Sequence, residues 1–128
     1  MDEYTRGFRE WQKENEQKAG EIFRRGYEKG DARCAFGLLL AAEKAKTVCE
    51  EDYARLGRET VTLRQRAPDD PVAAMIIGYC LERGIGIPAD EESALWYYRL
   101  AAKAGIPYAA DRVAALRQRM VLRLDGAE

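Results

Sequence analysis

The feature that most constrains this chain is a short pattern that occurs twice, in residues 15–30 and 90–105. Each copy has a polar residue first, small residues where a neighbouring helix would pack, a bulky pair between them and a final glycine. The matched residues are Asn15, Ala19, Ile22, Phe23, Gly26, Tyr27 and Gly30 in one copy, and Asp90, Ala94, Tyr97, Tyr98, Ala101, Ala102 and Gly105 in the other. Small residues let helices approach closely, and the bulky pair fills the space between them. The pattern therefore predicts stacked helices, each beginning with a capping side chain.

Composition and periodicity both favour an all-α fold. Alanine accounts for 20 residues, whereas Ile and Val together account for only 11. Apolar residues at helical spacing predict about six helices, over residues 2–29, 32–45, 48–66, 72–83, 90–104 and 108–124. Gly20 is expected to divide the first helix, and Thr47 with Glu50 is interpreted as a capping box before the third.

One segment carries a longer motif. Residues 73–105 read A-x-x-x-I-G-x-x-L-x-x-G-x-G-I-x-x-D-x-x-x-A-x-x-Y-Y-x-x-A-A-x-x-G. The segment resembles the Sel-one-like repeat, a branch of the tetratricopeptide-like helical solenoids, whose pattern is A-x-x-x-L-G-x-x-Y-x-x-G-x-G-V-x-x-D-x-x-x-A-x-x-W-Y-x-x-A-A-x-x-G. The outright matches are Ala73, Gly78, Gly84, Gly86, Asp90, Ala94, Tyr98, Ala101, Ala102 and Gly105. Leu81 departs from the family's Tyr, and Trp96 lies one place before the family's Trp.

The resemblance implies a short α-solenoid of antiparallel helix pairs forming a single domain over residues 1–128. Its expected parts are an N-terminal helix or helix pair with a half-repeat (1–30), a degenerate repeat without the glycine loop (31–70), a clear repeat (71–105) and a C-terminal capping helix (106–124). The degenerate repeat leaves open whether these stack as a regular superhelix or as a flatter bundle. In the glycine loop, Gly86 is expected to adopt a positive φ.

The residue inventory argues against an enzyme. Histidine, the usual general base near neutral pH, is absent. Ser93, the only serine, lies in a predicted capping turn, and the acidic clusters 50–52, 69–70 and 90–92 lie at predicted helix starts, where carboxylates favour the helix dipole. We therefore expect no catalytic residue, no metal and no cofactor.

The cysteines and the hydropathy pattern suggest a cytoplasmic protein. Cys34, Cys49 and Cys80 are odd in number and fit no zinc spacing, which favours three reduced, mostly packed thiols. A bridge between two of them, or a redox role, is the alternative. No apolar run is long enough to cross a membrane, and the polar N-terminus does not look like a signal peptide.

Two side-chain clusters allow both a structural and a functional interpretation. A formal charge of −1 does not favour nucleic-acid binding in general. The arginines at 112, 117, 119 and 123 could nevertheless form a patch for nucleic acid or an acidic partner, or they could form the solvated face of a capping helix. The aromatic block 96–98 is interpreted as core packing.

The resemblance also implies a binding surface, because the first helix of each repeat in such solenoids lines the concave side. The candidate partner-binding residues are Arg33, Phe36, Leu40, Lys44, Met75, Tyr79, Arg83, Tyr108 and Asp111. An apolar strip with charged edges suits a groove for a peptide, a helix or a protein surface. Alternatively, the N-terminal helix carrying Phe8 and Trp11 folds into this groove and covers it.

The predicted function is therefore a non-catalytic interaction module, an adaptor or regulator that binds another protein. The alternative is a cytoplasmic immunity-type inhibitor that neutralises a bacterial toxin enzyme by direct binding, since proteins resembling this family include such inhibitors. Either role is compatible with a monomer or a homodimer.

Overall fold

A computed structural model describes residues 1–126, with side chains through Leu124; the last two residues of the predicted domain 1–128 lie outside the described residues. The described part is all-helical, as predicted, but contains eight helices rather than about six. They are α1 (Glu3–Gln12), α2 (Glu16–Glu28), α3 (Arg33–Lys44), α4 (Glu50–Arg58), α5 (Thr60–Arg66), α6 (Pro71–Arg83), α7 (Glu91–Lys103) and α8 (Pro107–Gly126). Within this part, none of the helices has the length and apolar character needed to span a bilayer.

The helices form two compact units, Met1–Thr62 (unit 1) and Leu63 onward (unit 2). The boundary falls within α5, inside the region that the sequence assigns to the degenerate repeat.

The first difference from the predicted helices lies near the N-terminus. The chain breaks at Glu14, which adopts a left-handed φ of 62°, and Gly20 lies inside α2. The prediction that Gly20 divides the helices was therefore wrong. A single Gly is tolerated in a helix whose buried face holds it in place.

The second difference lies in the degenerate repeat. The backbone N–H of Cys49 donates to the Asp52 carboxylate at 2.8 Å, so the N-terminal box of α4 lies two residues beyond the predicted one. Thr47 instead lies in the turn that follows α3, where its N–H donates to the Ala42 carbonyl. The predicted helix 48–66 is also split at Glu59, and Thr60 donates its hydroxyl to the Gly57 carbonyl across the break.

In unit 1, α1, α2 and α3 pack around Phe23. Tyr4 contributes a tilted ring 5.9 Å from that of Phe23, and glycines on two helices leave room for the Phe23 side chain. Tyr4, Phe8 and Trp11 are spaced along one face of α1, which gives that helix the apolar stripe by which it packs.

Unit 2 contains the hairpin of α6 and α7. Asp70 caps α6, and Gly84 and Gly86 both adopt a φ of 74° in the connecting turn, which confirms the expectation for Gly86. The turn brings the N–H of Asp90 to the Leu81 carbonyl, and further from the turn the Tyr98 ring lies against Gly78. The two helices are therefore antiparallel. The last helix, α8, packs on α7.

The repeated polar residue behaves differently in its two copies. Asp90 caps α7 by accepting from the Ser93 N–H at 3.2 Å. Asn15 begins α2 without a side-chain cap and instead donates to Glu10 on α1. The expectation of a capping side chain is confirmed for Asp90 and wrong for Asn15.

Candidate functional site

In unit 1, the candidate Arg33 is held by contacts from its own unit. Its guanidinium donates to Asp31 and to Asp2, each at 2.8 Å, and lies over the Tyr4 ring. The hydrogen bond to Asp31 raises the pKa of Arg33 above its usual value. Arg33 thus fastens the start of α1 to the start of α3, and its half-buried side chain offers limited surface.

The candidates Leu40 and Lys44, further along α3, also contact α1. The Trp11 indole N–H donates to the Leu40 carbonyl at 3.2 Å, and Lys44 Nζ donates to the Trp11 carbonyl at 2.8 Å while lying over the indole ring. Phe8 stacks on Trp11 at 5.4 Å. The N-terminal helix therefore lies against these α3 residues. For this unit, the arrangement agrees with the alternative in which the helix carrying Phe8 and Trp11 covers the candidate surface.

Three of the apolar candidates are almost completely buried. Phe36 is 4% exposed, Met75 is 6% and Tyr79 is 5%. Their side chains present little area to a partner, so the accessible part of the candidate surface is formed by other residues.

Unit 2 has the most exposed candidates, Arg83, Tyr108 and Asp111. The Arg83 guanidinium lies 4.1 Å from the centroid of the Tyr79 ring and covers it. Tyr108, 39% exposed, packs edge-on against Tyr98 with ring centroids 6.2 Å apart. Tyr108 and Asp111 are three residues apart and share one face of α8.

A buried polar network supports this surface. Glu82, on the last turn of α6, accepts from the Tyr98 hydroxyl at 2.8 Å and from the Arg112 guanidinium of α8. Burial raises the pKa of Tyr98, and the hydrogen bond to Glu82 raises it further, so the hydroxyl stays protonated as a donor. The Glu82–Arg112 ion pair links the end of α6 to α8, and the candidates Arg83 and Asp111 are the chain neighbours of these two residues.

The residues considered for catalysis have structural partners. Ser93 donates its hydroxyl to Asp90 at 2.9 Å, and Asp52 pairs with Arg55 at 3.0 Å. Glu91 pairs with Arg119 and Arg123. In the described part of the chain, no group of three or more His, Cys, Asp or Glu residues is arranged to hold a metal ion.

Most of the arginine cluster on α8 is engaged within unit 2. Arg112 binds Glu82, and Arg119 and Arg123 bind Glu91. These contacts agree with the structural interpretation of α8 as a capping helix, because its arginines form ion pairs with Glu82 of α6 and with Glu91 at the start of α7.

The aromatic block divides into three environments. Tyr98 is fully buried, and Tyr97 is half-buried and accepts from Arg64 at 3.2 Å. Trp96, however, is 53% exposed, so the prediction that the whole block is core was wrong for this residue. The Trp96 side chain points outward because three consecutive residues of a helix cannot all face the same side.

All three cysteines are free thiols. Burial raises the pKa of Cys34 and of Cys80 to about 12, whereas Cys49 is exposed at the start of α4.

Comparison with protein-family models finds the Sel1 repeat at residues 3–31 and 71–106, just over half of the chain. The chain belongs to the Sel1 repeat family. The second match covers the α6–α7 hairpin that carries the motif, and the first covers both α1 and α2, where the sequence pattern had identified only the second helix of a repeat. Sel1 repeats generally mediate protein–protein interactions. No curated protein and no solved structure matches this chain.

Proposed function

We propose that this Sel1 repeat protein is a non-catalytic adaptor or regulator that binds another protein through the first helices of its repeats. The observation that carries the proposal is that Arg83, Tyr108 and Asp111 are exposed on α6 and α8 of unit 2, two helices linked by the Glu82–Arg112 ion pair. Arginine and tyrosine are typical anchors of protein interfaces, because they combine large contact area with hydrogen-bonding groups.

The other candidate residues have a supporting role in this proposal. Met75 and Tyr79 lie buried beneath the surface, and Tyr79 supports Arg83 from below. In unit 1, Phe36 is buried, and Arg33, Leu40 and Lys44 share their contacts with α1. We therefore expect the strongest partner contacts in unit 2. A cytoplasmic location is part of the proposal, since free thiols persist in a reducing compartment.

The test is affinity capture from lysate of the source cell with the double variant Arg83→Glu/Tyr108→Ala. The matched control is Arg99→Glu/Trp96→Ala, which likewise changes one arginine and one aromatic residue, at exposed positions of α7. We expect the first variant to retain at least about tenfold less of the partner than wild type, and the control to retain it fully, as for loss of interface anchors. Circular dichroism should show unchanged helicity for both. If the α6–α8 variant captures as much partner as wild type, this surface is not the binding site.

The same surface would serve the alternative role, a cytoplasmic inhibitor that neutralises a bacterial toxin enzyme. The captured protein separates the two roles. An inhibitor should bind an enzyme at nanomolar strength and stop its activity, whereas an adaptor often binds more weakly and leaves its partner active. A toxin-like reading frame next to this gene would favour the inhibitor.

A further inference from the structure

Unit 1 has a second surface that the sequence analysis did not identify, an open cleft between α2 and the start of α4, here called the α2–α4 cleft. Its floor is the C-terminal end of α3 and the residue after it, where Leu38 and Ala41 are 9% and 7% exposed and the small residues Ala42 and Ala45 are more accessible. Small residues on the floor let the backbone of an incoming helix come close. At the C-terminal end of α2, Tyr27 spans from the cleft wall to Glu59 through a 2.9 Å hydrogen bond.

The walls of the cleft carry excess negative charge. Glu16, Glu21 and Glu28 line the α2 side with a single cation, Arg24. On the α4 side, Asp52 and Arg55 form an ion pair at 3.0 Å and largely cancel each other. An occupant with positive charge along its edges would therefore be attracted to the α2 wall.

Gly20 shows that the cleft has room for side chains. It lines the cleft in the middle of α2, and a Cβ placed on it would meet no atom within 4 Å. The lining on α2 runs from Glu16 to Glu28, about 18 Å at the rise of an α-helix. That length accommodates roughly three turns of a second helix.

We propose that the α2–α4 cleft binds a basic amphipathic helix of a partner protein, with the apolar face of that helix on the α3 floor and its Lys or Arg residues facing the glutamates of α2. This surface lies on the second-helix side of unit 1. It shares no residue with the set Arg83, Tyr108 and Asp111, so either proposal can fail without the other.

The test uses two synthetic helical peptides of about 16 residues, long enough to cover the cleft. Both have the same Leu/Ala apolar face, and one carries Lys and the other Glu on its flanks. We expect the Lys peptide to bind the full chain at least about tenfold more tightly than the Glu peptide, measured by fluorescence anisotropy. The difference should shrink as salt is raised, because salt screens exposed charges. Equal binding of the two peptides would overturn the proposal.

Two variants of the protein and one control locate the binding site of the peptide. Gly20→Leu projects a side chain from a position whose Cβ would have open space, so it should weaken binding of the Lys peptide at least about tenfold while the melting temperature does not fall. The control Ala54→Leu adds the same side chain at an exposed position of α4 that does not line the cleft, and should leave binding unchanged. Replacing Glu16, Glu21 and Glu28 with Gln should remove most of the difference in affinity between the Lys peptide and the Glu peptide. If Gly20→Leu binds like wild type, the peptide lies elsewhere and the proposal is wrong.

Cys49 provides an independent footprint, because it lines the cleft and is exposed while Cys34 and Cys80 are buried. Bound Lys peptide should slow alkylation of Cys49 by iodoacetamide severalfold, measured by mass spectrometry of the labelled chain. An unchanged rate at saturating peptide would contradict binding in the cleft.

Discussion

In both Sel1 matches an aromatic ring of the second helix packs against a glycine of the first, but the further contacts of the two rings differ. In unit 1, the ring of Phe23 on α2 is wedged between Gly7 of α1 and Gly37 of α3. In unit 2, the ring of Tyr98 on α7 lies against Gly78 of α6, and its hydroxyl binds Glu82. Phe23 and Tyr98 occupy the same position of the repeated pattern and are both fully buried. The comparison shows that both copies of the repeat keep the packing of a ring against a glycine, while the other interactions that stabilise the ring differ.

The degenerate repeat has no aromatic residue at this position of the sequence pattern. Aligning Asp52 with Asp90 by sequence puts Thr60 at the position of Tyr98, directly after the break between α4 and α5, although Asp52 is the third residue of α4 and Asp90 precedes α7. A threonine cannot fill the space that a ring occupies, so it cannot anchor a second helix in the same way. The weakest repeat in the sequence is thus the one whose second helix is divided.

The largest expected effect is from Gly37→Ala in unit 1. A Cβ at this position would overlap the Phe23 ring, which is also confined by Gly7, where a Cβ would lie 2.5 Å from the ring. We expect a loss of about 3 kcal/mol in the free energy of unfolding, the upper range for overpacking a core. Urea denaturation followed by circular dichroism measures it.

The control for that prediction is Gly20→Ala, also on a helix of unit 1 but with open space around it. It should stabilise the protein by about 0.5–1 kcal/mol, because alanine favours the helix. A stability of Gly37→Ala equal to that of Gly20→Ala would mean that Phe23 does not confine the helices as described.

The next effect is from Tyr98→Phe in unit 2. It keeps the ring against Gly78 but removes the donor to Glu82, so a buried carboxylate loses one partner and keeps Arg112. We expect a loss of about 1–2 kcal/mol by thermal or urea unfolding. Tyr97→Phe is the matched control, because Tyr97 is half-buried and its hydroxyl contacts the exposed Arg64 side chain. Equal losses in the two variants would show that the Glu82 network contributes no more than a surface contact.

The smallest effect distinguishes the two equivalent helix starts. Asp90→Ala removes the cap of α7 and should cost about 1 kcal/mol, whereas Asn15→Ala removes no cap from α2 and should cost much less. Thermal unfolding monitored by circular dichroism gives both values. A larger loss for Asn15→Ala would indicate that its contact with Glu10 matters more than the helix cap.

The sequence predicted the parts of the fold that depend on local signals. The starts of α6 and α7 and the glycine turn followed from Asp70, Asp90, Gly84 and Gly86, because caps and turns are specified by neighbouring residues. The antiparallel pairing of α6 and α7 followed from the resemblance to the Sel-one-like repeat. The break at Glu14 could not be predicted in this way, since a left-handed Glu is not a local preference and depends on the packing of α1.

The candidate surface was less predictable than the fold. The positions of Arg83, Tyr108 and Asp111 as exposed residues agree with their places in the repeat, whereas the burial of Phe36, Met75 and Tyr79 depends on what packs over them. The α2–α4 cleft had one signal in the sequence, Gly20 in the middle of a helix, but its meaning depends on whether another helix fills the space beside it.

The sequence by itself determined that this chain forms helices, where most of them begin and end, and which of its hairpins is a clear Sel1 repeat, because periodicity, caps and glycines act over a few residues. Only the tertiary structure decided which apolar side chains are covered, that α1 lies along α3, and that a cleft stays open beside α2. Burial depends on contacts between residues distant in the chain, and no local pattern records them.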